Sequence, residues 1–138
     1  MALIGFPLLL IPFAIFNIIA FLMPGVSWNA PLTQVHMASG VEWTMAAGDL
    51  LIAFAVLLLF VEMLKSTRIG IRTVVDHSLS LLVFLAMGVE FILVPQASTS
   101  TFFLLLVISF VDVIGGFAVT LRSAQRDLTI EGANHISS

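Results

Sequence analysis

The sequence predicts an all-α integral membrane protein, a four-helix transmembrane bundle running up-down-up-down. Composition is the first reason: the 138 residues are 60% hydrophobic and 9% charged, whereas a soluble domain carries about 25% charged residues. Segment length is the second. Four apolar runs each reach the roughly 20 helical residues that a bilayer core requires. The third is punctuation by Pro24-Gly25, Lys65-Ser66-Thr67-Arg68 and Pro95-Gln96, which separates the runs. With lipid as the main solvent, a helix satisfies every backbone polar group within its own segment. One membrane domain over residues 1–138 is expected, with no room for a second.

The first span is expected over about 3–23. It has no basic start and no convincing cleavage site, so it reads as a retained span rather than a signal peptide. Pro7 and Pro12 predict a kink in it. Asn17 is its one strongly polar residue and asks for a hydrogen-bonding partner on a neighbouring helix. The connection 24–42 is polar but almost uncharged, and reads as an outer loop that folds over the bundle or lies in the interface. The second span is expected over about 43–64, the third over 74–94 and the fourth over 101–121. A polar tail, 122–138, follows and should be mobile at its end.

Charge distribution orients these spans. The five basic residues are Lys65, Arg68 and Arg72, then Arg122 and Arg126, while the connections near 24–41 and 95–100 hold none. Four spans place both basic groups on one side, so the positive-inside rule predicts that both termini are cytoplasmic. Trp28 and Trp43 then fall at the outer interface, where amphipathic rings prefer to lie. Lys65, Arg68, Arg72 and Arg122 are expected at the cytoplasmic interface, where they can hold anionic lipid headgroups. The expected location is a bacterial inner membrane.

Three acids, Asp49, Glu90 and Asp112, interrupt the apolar runs, and none of those runs contains an interior lysine or arginine. A carboxylate in hydrocarbon needs a partner, a proton or a wet cavity. Asp49 is expected about 9 Å deep in the second span, at 1.5 Å per residue, on one helix face with Glu42. Glu90 lies near the outer end of the third span and Asp112 near the middle of the fourth. On span three, Asp76, Ser80, Val83, Met87 and Glu90 form a stripe at spacings of three and four; Ser109, Asp112, Gly116 and Thr120 do so on span four. These stripes should face the bundle interior or another protein. Asp49, Glu90, Asp112, Ser109 and Glu42 therefore form the expected intramembrane polar site. Glu62 and Asp76 read as interface residues, with Glu62–Lys65 and Arg72–Asp76 as edge ion pairs.

Several function classes are excluded or disfavoured. No cysteine is present, so disulfides, thiol catalysis and Cys-ligated metals are out. No basic face exists to neutralise phosphates, so nucleic acid is not an expected partner. Nucleotide, kinase and hydrolase motifs are absent, and no enzyme activity or cofactor is expected. His36, with Met37, Met23 and Glu42, is the weak candidate for a metal site. Its spacing fits no specific motif, so an interfacial loop histidine is the plainer reading. His36 and His77 are expected on opposite sides, which argues against a haem held by one subunit.

Two functions remain. The first is a non-catalytic accessory or structural subunit that packs in the bilayer against other membrane subunits or copies of itself. In that reading the acids fasten helices together. The second is a small proton-coupled or cation transporter working through Asp49, Glu90 and Asp112. On the sequence, its weak point is the cytoplasmic half, where only Ser80 and Thr120 link Asp112 to the edge.

Overall fold

The computed structural model describes residues 6–65 and 71–137. The start of the first predicted span and Arg68 lie outside the described residues. The chain is mostly helical: α1 is Leu10–Leu22, α2 Ala47–Lys65, α3 Ile71–Leu93 and α4 Ser100–Ser137. A 3₁₀ turn, Pro95–Ala97, joins α3 to α4. Helices α2, α3 and α4 are long and apolar enough to cross a membrane, whereas α1 has 13 residues. The all-α expectation and the membrane composition hold at that level.

The 24–42 segment and the start of the second span differ from expectation. Strands β1, Pro31–His36, and β2, Glu42–Ala46, pair as an antiparallel hairpin. The Met37 N–H donates to Val41 O at 2.9 Å, and the Gly40 N–H to Met37 O at 2.9 Å. Gly40 has φ +90°. These contacts describe a three-residue loop whose last position is left-handed, the conformation that favours glycine. Residues 42–46 are spent on this ladder, so α2 starts at Ala47 rather than Trp43. Val35 pairs with Trp43 and Thr33 with Met45, while Gln34–Thr44 and His36–Glu42 pair on the other face. The hairpin is amphipathic by the two-residue alternation of a strand.

The prolines also sit differently from expectation. Pro7 precedes α1, and Pro12 occupies its first turn. A missing N–H there leaves no bond unmade, because first-turn N–H groups have no helical partner. The expected polar tail is continuous helix: α4 runs to Ser137.

Helix α4 is the centre of the bundle. Both α2 and α3 pack along it, and α1 touches α2, α4 and the 3₁₀ turn. Its buried positions, Thr101, Phe102, Leu105, Ile108, Ser109, Asp112 and Gly116, recur at helical spacing. Ring contacts His77–Phe117, Phe84–Phe110 and Phe91–Phe103 fix the antiparallel level of α3 against α4. At the hairpin end, Phe16 stacks on Trp28 at 4.8 Å and meets Phe102 edge-on at 4.8 Å. Such pairs add to the burial of apolar area. The outward faces of α2, α3 and α4 carry Leu57, Phe60, Ile92, Leu93 and Phe117 exposed, as side chains facing lipid should be.

Candidate functional site

The end of the bundle where α2 stops and α3 begins collects the buried charges. Glu62 lies on the inward face of α2 with Leu51 and Ala55, at helical spacing. The Leu8 N–H donates to Glu62 Oε1 at 2.6 Å. Lys65 Nζ donates to the same oxygen at 3.2 Å and to Phe6 O at 2.7 Å. Asp76, in the second turn of α3, places Oδ2 4.0 Å from Lys65 Nζ. The side chains of Glu62, Lys65 and Asp76 are 5%, 11% and 12% exposed. They turn into the bundle, where the sequence suggested edge residues and, for Lys65, a lipid headgroup contact.

One turn deeper, Ser80 of α3 is buried and its hydroxyl is the side-chain hydrogen-bonding neighbour of Asp112 on α4. Asp112 is itself 5% exposed and lies within electrostatic reach of Glu62 and Lys65. His77 flanks the group, within electrostatic reach of Asp76 and Glu62, with its ring edge-on to Phe117. Three helices thus contribute one carboxylate each around one lysine. Among the described residues, Asp76 Oδ1 is buried with no hydrogen-bond partner. A buried carboxylate oxygen in that condition is costly unless it binds a proton or another group.

A second polar contact lies nearer the hairpin. Glu90 of α3 has Asn17 of α1 as its side-chain hydrogen-bonding neighbour, and its Oε2 is buried and unpartnered among the described residues. Ser80 and Glu90 are ten residues apart on one helix, or about 15 Å. Between their levels the buried cluster contains Met87, Leu105 and Ile108. The polar groups therefore form two layers with a packed apolar layer between them.

The remaining sequence candidates are dispersed. Asp49 is in the first turn of α2 and exposed, and its Oδ2 accepts the Ala46 N–H at 3.0 Å. It caps the helix start, because the hairpin moves that start to Ala47; it does not lie deep in a span. Glu42 is on β2, so it shares no helix face with Asp49. Glu42 Oε1 lies 2.6 Å from His36 Nδ1 across the hairpin, both side chains exposed. Met37 is exposed at the hairpin tip. Among the described residues no three His, Cys, Asp or Glu side chains are grouped to hold a metal ion. Ser109 is buried one turn from Asp112. Arg122 is exposed on α4, and Arg72 lies in the first turn of α3 with its side chain outside the described set.

Glu62, Lys65 and Asp76 are the members of the cluster that sequence reasoning left at the edge, whereas Ser80 is buried on the stripe expected to face inward. The Glu62–Lys65 spacing signalled a pair, but nothing local signalled that Phe6–Leu9 would cover it. Comparison with protein families, with curated proteins and with solved structures finds no match to this chain.

Proposed function

We propose that the chain crosses the membrane four times and exchanges protons through the buried cluster of Glu62, Asp76 and Asp112 around Lys65. The observation that carries this is the convergence of three carboxylates from three helices on one lysine, with a carboxylate oxygen left unpartnered. Ionisable groups inside spans mark proton and ion pathways by default. A proton bound at Asp76 or Asp112 lowers the negative charge held around Lys65. Its transfer between the two passes along Ser80, whose hydroxyl both donates and accepts. Asp112 and Ser109 then face the apolar layer, beyond which Glu90 and Asn17 form the second station. The packed layer of Met87, Leu105 and Ile108 is the barrier that keeps the two stations from leaking into each other.

Four crossings are supported by the course of the first segment. Phe6 meets Lys65 at the C-terminal end of α2, and the Trp28 carbonyl accepts the Gly48 N–H at its N-terminal end. Residues 6–28 therefore run the full length of α2, a helix of 19 residues. The positive-inside rule puts the Lys65 end, with both termini, on the cytoplasmic side of a bacterial plasma membrane.

The test is proton flux into liposomes holding the purified protein. Asp112→Asn is expected to reduce flux at least tenfold, a change of about 1.4 kcal/mol in the barrier. Absence of flux in the wild type, or flux indifferent to this substitution, overturns the proposal.

A second reading is a non-catalytic subunit in which the same cluster is a fastening. It is favoured by the bonds from Leu8 and Lys65 that tie the N-terminal segment to α2. In that case native mass measurement after mild extraction finds the chain with other membrane subunits or with copies of itself. A lone monomer that still conducts protons removes it.

A further inference from the structure

Two cavities border Trp28, one lined about equally by polar and apolar surface and the other almost wholly apolar. One, of about 440 Å³, is lined by Ser27, Asn29, Gln96, Ser98, Thr99 and Ser100, among others, and no charged side chain borders it. The other, of about 490 Å³, is an open groove between α1 and α2 lined by Ile15, Ile19, Leu32, Leu50, Leu51 and Phe54 along with Trp28 and Ala47. Both volumes fall in the range of small-molecule sites, about 300–1,000 Å³. Trp28 borders each of them. Its ring is held by the stack on Phe16, and its carbonyl by the Gly48 N–H at 2.8 Å.

We propose that these cavities form one binding site for a lipid with an uncharged, hydroxyl-bearing headgroup. The acyl chain lies in the α1–α2 groove, and the headgroup passes Trp28 into the hydroxyl- and amide-lined cavity. A purely apolar ligand would leave the hydroxyls and amides of the first cavity unused. A charged headgroup would lose water there without meeting a counter-charge. A glycerol-type headgroup matches the inventory, since Ser, Thr, Asn and Gln side chains both donate and accept. The groove lies between α1 and α2, so on the four-crossing reading, on which this site rests, the acyl chain enters from the bilayer. This site is at the hairpin end, away from the carboxylate cluster, and stands independently of the proton reading.

The chain has two tryptophans, so Trp43→Phe leaves Trp28 as its one reporter. That variant, in phosphatidylcholine vesicles, is titrated with monoacylglycerol brominated on its acyl chain. Brominated phosphatidylcholine and brominated phosphatidylglycerol serve as comparisons. Saturable quenching of Trp28 by the monoacylglycerol, at lower mole fraction than by either phospholipid, is expected. Ser98→Ala combined with Ser100→Ala should raise the half-saturating fraction about tenfold, as loss of two neutral hydrogen bonds implies. Asn29→Ala, outside every helix, repeats the test without touching α4, and should raise it about threefold. Quenching that never saturates and is equal for all three lipids overturns the site as bulk contact. Stronger quenching by phosphatidylglycerol overturns the uncharged headgroup.

Discussion

Lys65→Met is expected to destabilise the protein by about 3–5 kcal/mol, the scale for removing one partner of a buried ion pair. The lysine donates to Phe6 O and Glu62 Oε1 and lies 4.0 Å from Asp76 Oδ2. Its loss leaves Glu62 and Asp76 facing each other and Asp112 with less opposing charge. The N-terminal segment also loses the hydrogen bond at Phe6 O, while that from the Leu8 N–H remains. Lys65→Arg keeps the charge and should recover most of the stability. Adding Glu62→Gln to Lys65→Met should recover part of it, because the amide oxygen still accepts the Leu8 N–H without carrying charge. Reversible unfolding in mixed micelles measures all four proteins. A loss under 1 kcal/mol for Lys65→Met would show that the cluster is solvated rather than buried.

Gly48→Ala is the second large effect. A Cβ at Gly48 would stand 2.5 Å from Thr101 Oγ1 and 3.1 Å from Trp28 O. Thr101 is β-branched and buried, and the Trp28 carbonyl is tied to the Gly48 N–H, so neither retreats easily. The helices must separate, at a cost of about 1–3 kcal/mol for overpacking. Thr101→Ala should relieve much of this when combined with Gly48→Ala, a coupling that a double-mutant cycle reads directly. Gly115→Ala is the contrasting case. Its nearest neighbour is the Met63 methyl at 2.5 Å, the end of a flexible side chain that can swing aside, so a loss within about 0.5 kcal/mol is expected. Equal losses at the two glycines would contradict this packing.

The parts of the fold that were legible depend on composition and helical period. Apolar runs predicted α2, α3 and α4, and the three-four spacing of Ser109, Asp112 and Gly116 matches the buried face of α4. The hairpin was missed because Trp43–Ala46 is apolar enough to be absorbed into a helical run. Its signals are nonetheless present: alternation in Glu42–Met45, β-branched Thr33 and Val35 on the facing strand, and Gly40 at the left-handed loop position. That miss carried Asp49 with it, since moving the helix start to Ala47 turns a deep carboxylate into a capping one. The candidate cluster was half legible for a different reason. Asp112 and Ser80 were on predicted inward stripes, but the burial of Glu62, Lys65 and Asp76 depends on Phe6–Leu9 folding back over them. That contact joins residues more than fifty positions apart, and local spacing does not reveal it.

The two ends of the bundle make opposite claims on function, and flux measured on matched neutral variants separates them most directly. Asp76→Asn and Asp112→Asn change the cluster around Lys65; Asp49→Asn changes the exposed helix cap beside the hairpin. Proton flux in liposomes lost in both cluster variants and retained in Asp49→Asn is the predicted result. Flux that survives Asp76→Asn and Asp112→Asn, or that fails in Asp49→Asn alone, contradicts the assignment of the working site to the Lys65 end.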